Sequence, residues 1–399
     1  MDLLKINDPE GELPNSFYTH SIKKITNYSS LKKDLICQIC IIGAGYTGLS
    51  AGLSLAELGY DVVILEANRV GFGASGRNGG QVGSGQRWDQ KKLEKHFGFD
   101  QAKIFWEISE AAKQEVISRI KLHDIECDFC SGIINTTVNK DDVSQLFNEV
   151  ELLKQKYNYK KLEILNSKDL SKTLDTDFYS AGCLDLGAGH LNPLKFAIGL
   201  STAAVKKRVK IFEKSCVIKV KYGTKNIVFL DNGCQVKCEN VIFSCNGYLG
   251  NLEPKISKKV MPINNFILTT EILEKNLLDS FFKNNYAVAD DKFVPNYFRP
   301  SPDKRLIFGG GENYTYKFPK AIKSLVRKKM IKVYPQLEKT KIDFVWGGTL
   351  AVTRSRLPYF AKIKQNAYSV SGYSGHGVAL SVLSGKIIAE LINGNSKRF

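Results

Sequence analysis

No stretch of this chain carries the marks of export. The first residues, MDLLKINDPEGELP, are polar and include prolines; no apolar run with a cleavage site is present, so no secretory signal is expected. A transmembrane segment is not expected either. Residues 35–56 hold no charge and are long enough to cross a bilayer. They are dense in Gly, Ser and Thr, however, and a buried strand feeding a helix accounts for them better. No internal repeat and no low-complexity tract is visible, which excludes solenoid and array architectures. Acidic residues are few, 40 against 57 Lys and Arg, for a formal net charge of +17. Such a balance often marks nucleic-acid or anionic-surface binding. Here the basic residues are scattered as pairs and triplets, as in KKD, AVKKRVK and VRKKM. A general compositional bias is the expectation, and nucleic acid is not an expected partner. Histidine is scarce, with five in the chain.

Cysteine is plentiful, with nine residues. Without an export signal this fits reduced thiols and a cytoplasmic location better than a disulfide framework. Two C-x-x-C pairs occur, Cys37 with Cys40 and Cys127 with Cys130, and two such pairs can build a zinc site. Cys37 and Cys40 lie in a strand-like run, where residues three apart face opposite sides. Neither pair has the glycine that a zinc knuckle uses for its turn, so no metal site is expected.

A chain of 399 residues with 43% hydrophobic content is too long for one typical core, so two domains are expected. Residues 1–35 read as an arm with little regular pattern. Residues 36–42 read as a buried strand, 43–48 as a turn, and a helix follows to about Leu58. DVVILEA is a second strand ending on Glu66, and together these make a βαβ unit. A long helix capped near Asp100 is expected to bury Ile104, Ile108, Ala111, Ala112, Val116 and Ile120. Another helix spans about 143–157, and a third opens with Asn192 as cap and Pro193 at its first position. CVIKV is the next strand; a hairpin then turns at Asp231-Asn232-Gly233. Strands and loops fill 261–308, AIKSLVRKKMIKVYP forms a helix, and strand AYSVSG, turn YSGHG and helix VALSVLSGKIIAELI close the chain.

The G-x-G-x-x-G pattern falls on Gly43, Gly45 and Gly48. In such a turn the first glycine makes the bend, the second admits a pyrophosphate and the third lets helix and strand pack. The helix N-terminus offers its partial positive charge to the phosphates. Glu66 ends the second strand, where a ribose hydroxyl acceptor belongs. NAD and FAD share this pattern. Two further stretches favour FAD. GFGASGRNGGQ, Gly71 to Gln81, offers successive N–H groups with Arg77 and Asn78, which suits an extended cofactor. SGYSGHGVALSV is a glycine-rich turn opening a helix near the C-terminus. Its dipole could stabilise negative charge on a flavin ring.

The stretches GAGYTGLSAGLSLAELGYDVVILEANRVGFGASGRNGGQ, GHLNPLKFAIG, NGYLG, TRSRLP and GYSGHGV resemble those of the D-amino-acid-oxidase-like FAD oxidoreductases, and within them the gamma-glutamylputrescine oxidoreductases of bacterial putrescine breakdown. The resemblance runs from about Phe17 onward. It implies an α/β fold: a Rossmann-like FAD-binding domain of the glutathione-reductase type, with a discontinuous α+β substrate domain carrying a mixed or antiparallel sheet. The expected division is an arm at 1–35, an FAD-binding domain from 36–85, 180–255 and 340–399, and a substrate domain from 86–179 and 256–339. Gly43, Ala44, Gly45, Tyr46, Thr47 and Gly48 would hold the pyrophosphate, and Glu66 with Ala67 the adenosine ribose. Ala74, Ser75, Arg77, Asn78, Gly79, Gly80 and Gln81 would line the path to the flavin, and Val217 would meet the adenine through its backbone. Asn246 and Gly247 would lie beside the cofactor, and Gly375, His376, Gly377 and Val378 at the flavin pyrimidine edge. Some relatives attach the flavin through a Cys before the C-terminal loop. Here that region, VWGGTLAVTRSRLPYF, has none, so noncovalent FAD is expected.

The implied reaction is oxidation of gamma-glutamylputrescine to gamma-glutamyl-aminobutyraldehyde, by hydride transfer to the flavin N5, with oxygen or another acceptor reoxidising the cofactor. A D-amino acid, glycine or sarcosine is the alternative substrate, and a modified uridine in tRNA a remoter one. Positioning and electrostatics are the protein's share of such chemistry, so no dedicated base is required. His376 is the candidate catalytic side chain, as an imidazole that tunes flavin or amine. Arg299, Arg354 and Arg356 are candidates for a glutamyl carboxylate, which Arg binds in bidentate fashion. Tyr373 is a candidate wall of the substrate cavity.

Overall fold

The uncharged run from Leu35 becomes the middle of a parallel sheet. In the computed structural model, which describes residues 2–281 and 283–395, Leu35–Ile42 pairs in parallel with Val62–Leu65 on one side and Gln235–Phe243 on the other. Lys210–Phe212 and Ala367–Ser371 extend the sheet in parallel beyond them. Tyr359–Lys364 adds an antiparallel edge, and the hairpin of Val217–Lys221 and Asn226–Leu230 runs off Gln235–Phe243. Both faces are buried, as a near-continuous apolar strand requires. On one face Ile39, Ile41 and Ile64 pack with Leu49 and Leu53, Phe196 and Leu200, and Val382 and Leu383. These side chains come from the helices Tyr46–Glu57, Pro193–Lys206 and Gly377–Ile392. On the other face Cys40, Ile42, Val63 and Leu65 pack with Val228 and Leu230 of the hairpin.

A second sheet of nine strands runs in the order Ile342–Thr353, Val260–Thr270, Leu306–Asn313, Tyr297–Pro300, Ala287–Asp290, Cys130–Thr137, Ala181–His190 and Gln81–Val82, with Leu162–Asn166 beside Ala181–His190. Its pairing is antiparallel except where Ala287–Asp290 meets Cys130–Thr137. The expected division needs correction at three strands. Gln81–Val82, Ala181–His190 and Ile342–Thr353 belong to this sheet, whereas 36–85, 180–255 and 340–399 had been assigned to the first. Partner choice in a sheet is non-local, so the composition of AGCLDLGAGH carries no sign of which sheet it joins.

The helices form close to where the sequence places them. Asn192 Oδ1 accepts from the Lys195 N–H at 3.2 Å, with Pro193 in the first turn. The long helix is Phe99–Leu122, entered through Gly98 at φ +80°. It buries Ala102, Trp106, Ser109, Ala112, Lys113 and Val116, while Ile104 is 45% exposed, against expectation. The arm is better ordered than its composition suggests. It holds a short helix, Phe17–His20, capped by Ser16. Tyr18 is fully buried and donates to the Asn78 carbonyl at 2.8 Å.

Cys37 and Cys40 pack into the same cluster, contrary to the alternation of a regular strand. The N–H groups of Gln38 and Ile39 share the Asp61 carbonyl, at 3.2 and 3.1 Å. All nine cysteines are free thiols. Among the described residues no group of three or more His, Cys, Asp or Glu could hold a metal, and no helix is long and apolar enough to cross a membrane.

Candidate active site

At the carboxyl end of Leu35–Ile42 the chain turns through Gly43 at φ +104° into the Tyr46–Glu57 helix. The positive φ favours glycine there. At Gly48 a Cβ would stand 2.0 Å from the Gly43 carbonyl and 2.6 Å from Ser244 Oγ, so only glycine lets the helix sit this close to the strand. The first-turn N–H groups of the helix have no acceptors within it; that of Tyr46 donates to Ser75 Oγ at 3.0 Å. Together Gly43, Gly45, Tyr46 and Thr47 form one end of a cavity of about 480 Å³ that continues to the second sheet.

Glu66 lies in the wall at this end, with Ala67 and Val217. Its carboxylate is already placed: Oε2 accepts from the Ala44 N–H at 2.8 Å and Oε1 from the Asn68 N–H at 2.9 Å. Burial outweighs these bonds and lifts the carboxyl to about 7. A ribose diol would donate to the remaining lone pairs, so the residues present fit the adenosine half of FAD. Ala74, Ser75, Asn78, Gly79 and Gln81 continue the wall, as does Asn246. Ala44, Gly48, Gly80 and Gly247 do not reach the cavity and shape it from behind. A Cβ on Gly80 would meet the Leu191 carbonyl at 2.0 Å, and one on Gly247 the Leu350 carbonyl at 2.9 Å.

Arg77 borders the cavity, but its guanidinium is committed elsewhere. It pairs with Asp8 at 2.7 Å and donates to the carbonyls of Phe72 and Gly347, at 2.6 and 3.1 Å. Arg77 thus lines the path expected of it, while its guanidinium acts as a strut between the arm, the glycine-rich segment and Ile342–Thr353.

A second helix N-terminus opens on the same cavity. Gly375, His376, Gly377 and Val378 line it, and His376 is the cap of Gly377–Ile392. The two helices pack closely: Ser50 Oγ donates to the Val382 carbonyl at 2.7 Å, and a Cβ on Gly385 would meet the Thr47 carbonyl at 2.5 Å. Both positive ends therefore open on one cavity. Burial, helped by the Arg87 charge, pushes the His376 imidazole down to about 4, and its Nδ1 is buried without a partner. His376 is thus neutral at pH 7. Tyr373 borders the cavity, but its hydroxyl is bound to Thr47 Oγ1 at 2.6 Å. It ties the C-terminal loop to the cradle while forming part of the cavity wall.

Of the arginines, Arg299 is buried outside the cavity. Its guanidinium donates to the carbonyls of Gly79 and Leu191, at 2.9 and 3.0 Å. It holds the Gln81–Val82 strand in place, so a carboxylate-binding role is corrected. Arg354 is exposed. Arg356 does line the cavity, in the left-handed region at φ +63°. Sequence reasoning missed its neighbours. Arg87, Glu312 and Phe293 share that end of the cavity, with Phe293 73% exposed. Arg87 donates to the Phe293 carbonyl at 3.3 Å, and Arg356 lies 5.8 Å from the Phe293 ring. Among the described residues neither arginine has a carboxylate within ion-pair distance. Asn265 and Tyr297 of the second sheet, bonded to each other at 2.5 Å, and Ser84 and Asp185 complete the wall. Arg87 had one local signal, its place six residues past the GRNGGQ run. Glu312, Asn265 and Asp185 had none.

The family described as FAD dependent oxidoreductase, or DAO, matches residues 38–391. Gamma-glutamylputrescine oxidoreductase of Escherichia coli (strain K12) is 37% identical, over 97% of this chain and 91% of that protein. A Haemophilus influenzae protein named probable oxidoreductase OrdL is 35% identical, over 98% of this chain and 91% of its own. Glycine oxidase from Geobacillus kaustophilus superposes with a TM-score of 0.78 at 16% identity, covering 92% of this chain and 96% of that one, a likeness of fold.

Proposed function

The chain belongs to the FAD-dependent oxidoreductase family, and we propose that it oxidises the free amine of gamma-glutamylputrescine. The products would be gamma-glutamyl-aminobutyraldehyde and ammonia, with oxygen reduced to hydrogen peroxide. The single observation that carries this reading is the solvent-facing end of the cavity. Two guanidinium groups, Arg87 and Arg356, line it; among the described residues neither has a carboxylate within ion-pair distance, and the Glu312 carboxylate acts on Arg87 from further off. A glutamyl head brings one carboxylate and one ammonium, the complement of that set. The similarity to the Escherichia coli enzyme supports the same choice.

Bound FAD supplies two-electron oxidation of a carbon–nitrogen bond. This chain's residues hold and place the partners. Glu66 would take the ribose hydroxyls, Gly43 to Thr47 the pyrophosphate, and the first turn at His376 and Gly377 the electron-rich edge of the ring as it gains charge. Arg87 and Arg356 would anchor the glutamyl carboxylate, so that the distal amine alone reaches the ring. The FAD would be noncovalent. The two thiols at the cavity, Cys216 and Cys245, are pushed by burial to about 11 and about 12, far from the thiolate that attack requires. Nine unpaired thiols also suit a cytoplasmic setting.

The test is the visible spectrum of the FAD-loaded protein, recorded anaerobically with gamma-glutamylputrescine, putrescine, glycine and sarcosine. Bleaching by the first at the lowest concentration is the expected result. Bleaching by glycine or sarcosine with no response to gamma-glutamylputrescine would overturn the proposal.

A further inference from the structure

Behind Ser84 and Asp185 of the cavity wall lies a lysine that the reaction outlined above leaves unused. Lys113, in the middle of Phe99–Leu122, has a side chain only 1% exposed. Lysine is almost never so deeply buried without partners. Its Nζ donates to Ser84 Oγ at 2.5 Å and to the Tyr159 hydroxyl at 2.8 Å. It also forms an ion pair with Glu110 at 2.9 Å. The two hydroxyls donate in turn to the two oxygens of Asp185, Ser84 at 2.5 Å and Tyr159 at 2.6 Å. The Gly187 N–H adds a further donor to Asp185 at 2.9 Å. Lys161 acts on Glu110 from outside, and Trp106 packs against the Tyr159 ring.

The two ends of this network lie in different places. Ser84 and Asp185 line the cavity, and Asp185 is buried. Glu110 is 25% exposed at its side chain. A continuous path of polar contacts thus joins the cavity wall to solvent. Its formal charges are two carboxylates and one ammonium, a net negative set that draws a cation toward the wall.

An aliphatic amine has a pKa of about 10 and arrives as an ammonium. It must lose a proton before the adjacent C–H bond can break, because the nitrogen lone pair drives that step. We propose that this proton leaves the cavity through Asp185, the paired hydroxyls of Ser84 and Tyr159, Lys113 and Glu110. The substrate N–H bond breaks with its electron pair staying on nitrogen, and the proton joins Asp185. Lys113 gives a proton to Glu110, and one of the two hydroxyls then turns to take the proton from Asp185 while giving its own to the neutral Lys113, which restores the carboxylate and the ammonium. Glu110 passes its proton to water. Each bond broken is matched by one formed, and no electrons leave the substrate in this phase. Burial raises the Glu110 carboxyl, which makes it a better acceptor than an exposed glutamate. His376 offers no rival route: it is held near 4, and its Nδ1 has no partner to receive the proton.

The inference rests on the amine-oxidation reading and not on which amine is used. The experiment is anaerobic stopped-flow mixing of the FAD-loaded enzyme with gamma-glutamylputrescine in weak buffer. An indicator dye follows released protons while flavin absorbance follows reduction. Wild type is expected to release one proton per site ahead of bleaching. The double variant Ser84→Ala with Tyr159→Phe, which cuts both links, is expected to slow proton release and bleaching about tenfold at pH 7. Its pH–rate profile should move toward higher pH, because the substrate must then bind as free amine. Glu110→Gln, at a partly exposed position, is expected to move the profile the same way and serves if the double variant does not fold. Unchanged proton release and pH profiles in the variants, whatever their melting temperatures, would make the network structural and overturn the proposal. If wild type bleaches with another amine instead, the substrate reading fails and the same comparison is made with that amine. If no amine bleaches the flavin, both fall.

Discussion

Glu66 makes a pH-dependent contribution to folding that can be worked out from its surroundings. Its carboxyl rises from the ordinary 4.5 to about 7 because burial outweighs two backbone N–H bonds. Between those values the folded apoprotein binds more protons than the unfolded chain, so stability falls as pH rises through this window. The shift corresponds to a cost of about 3 kcal/mol above pH 7, relative to a protonated group. Bound FAD changes the sign of the pressure. Ribose hydroxyls donating to the carboxylate favour its charged form, so FAD affinity should weaken on acidification from pH 7 to pH 5. The assay is urea unfolding of FAD-stripped protein from pH 5 to pH 8, for wild type and Glu66→Gln, with FAD titrations alongside. The apo wild type should lose stability across this range, and Glu66→Gln should lose markedly less. The slope is the quantity to compare, because the glutamine amide also sets an N–H2 against a backbone N–H and lowers stability at every pH. FAD binding by Glu66→Gln should be weaker by roughly tenfold or more at pH 7, as for loss of one charged hydrogen bond. Equal slopes in the two proteins would refute this reading of Glu66.

Two other outcomes follow from the cavity. Gly48→Ala would place a methyl 2.0 Å from the Gly43 carbonyl. The helix must then move off the strand, at a cost of about 1–3 kcal/mol or more, and FAD retention through gel filtration should be lost while far-UV circular dichroism changes little. Arg87→Met and Arg356→Met should each raise KM for gamma-glutamylputrescine by roughly tenfold to a hundredfold. Their kcat/KM for putrescine, which has no carboxylate, should stay within about twofold of wild type, and equal losses on both substrates would separate these arginines from the glutamyl head.

The first sheet and its cradle were legible because their determinants are local. A strand, the turn at Gly43, a capped helix and Glu66 lie within thirty-two residues, Leu35 to Glu66, and each has a short-range signature. The second helix N-terminus at His376 was legible for the same reason. Arg299 was misread because residue type was the sole clue. A buried guanidinium bonded to three carbonyls and one aimed at a substrate look identical in a sequence. The substrate end of the cavity was illegible for a deeper reason. Ser84 with Arg87, Lys113, Tyr159, Asp185, Glu312 and Arg356 come from six separate places in the chain, and the fold brings them together. Lys113 shows the difficulty best. It sits in a stretch reading EAAKQEV, whose pattern of charges suggests a solvated helix face, yet its side chain is almost wholly buried. What buries it is Tyr159 and Asp185, which lie 46 and 72 residues further on. The cofactor half of such a chain is therefore readable as a motif, whereas its substrate half is readable only as a folded charge distribution. Two arginines at the mouth and a net negative network in the wall are the parts of that distribution that would tell one amine from another.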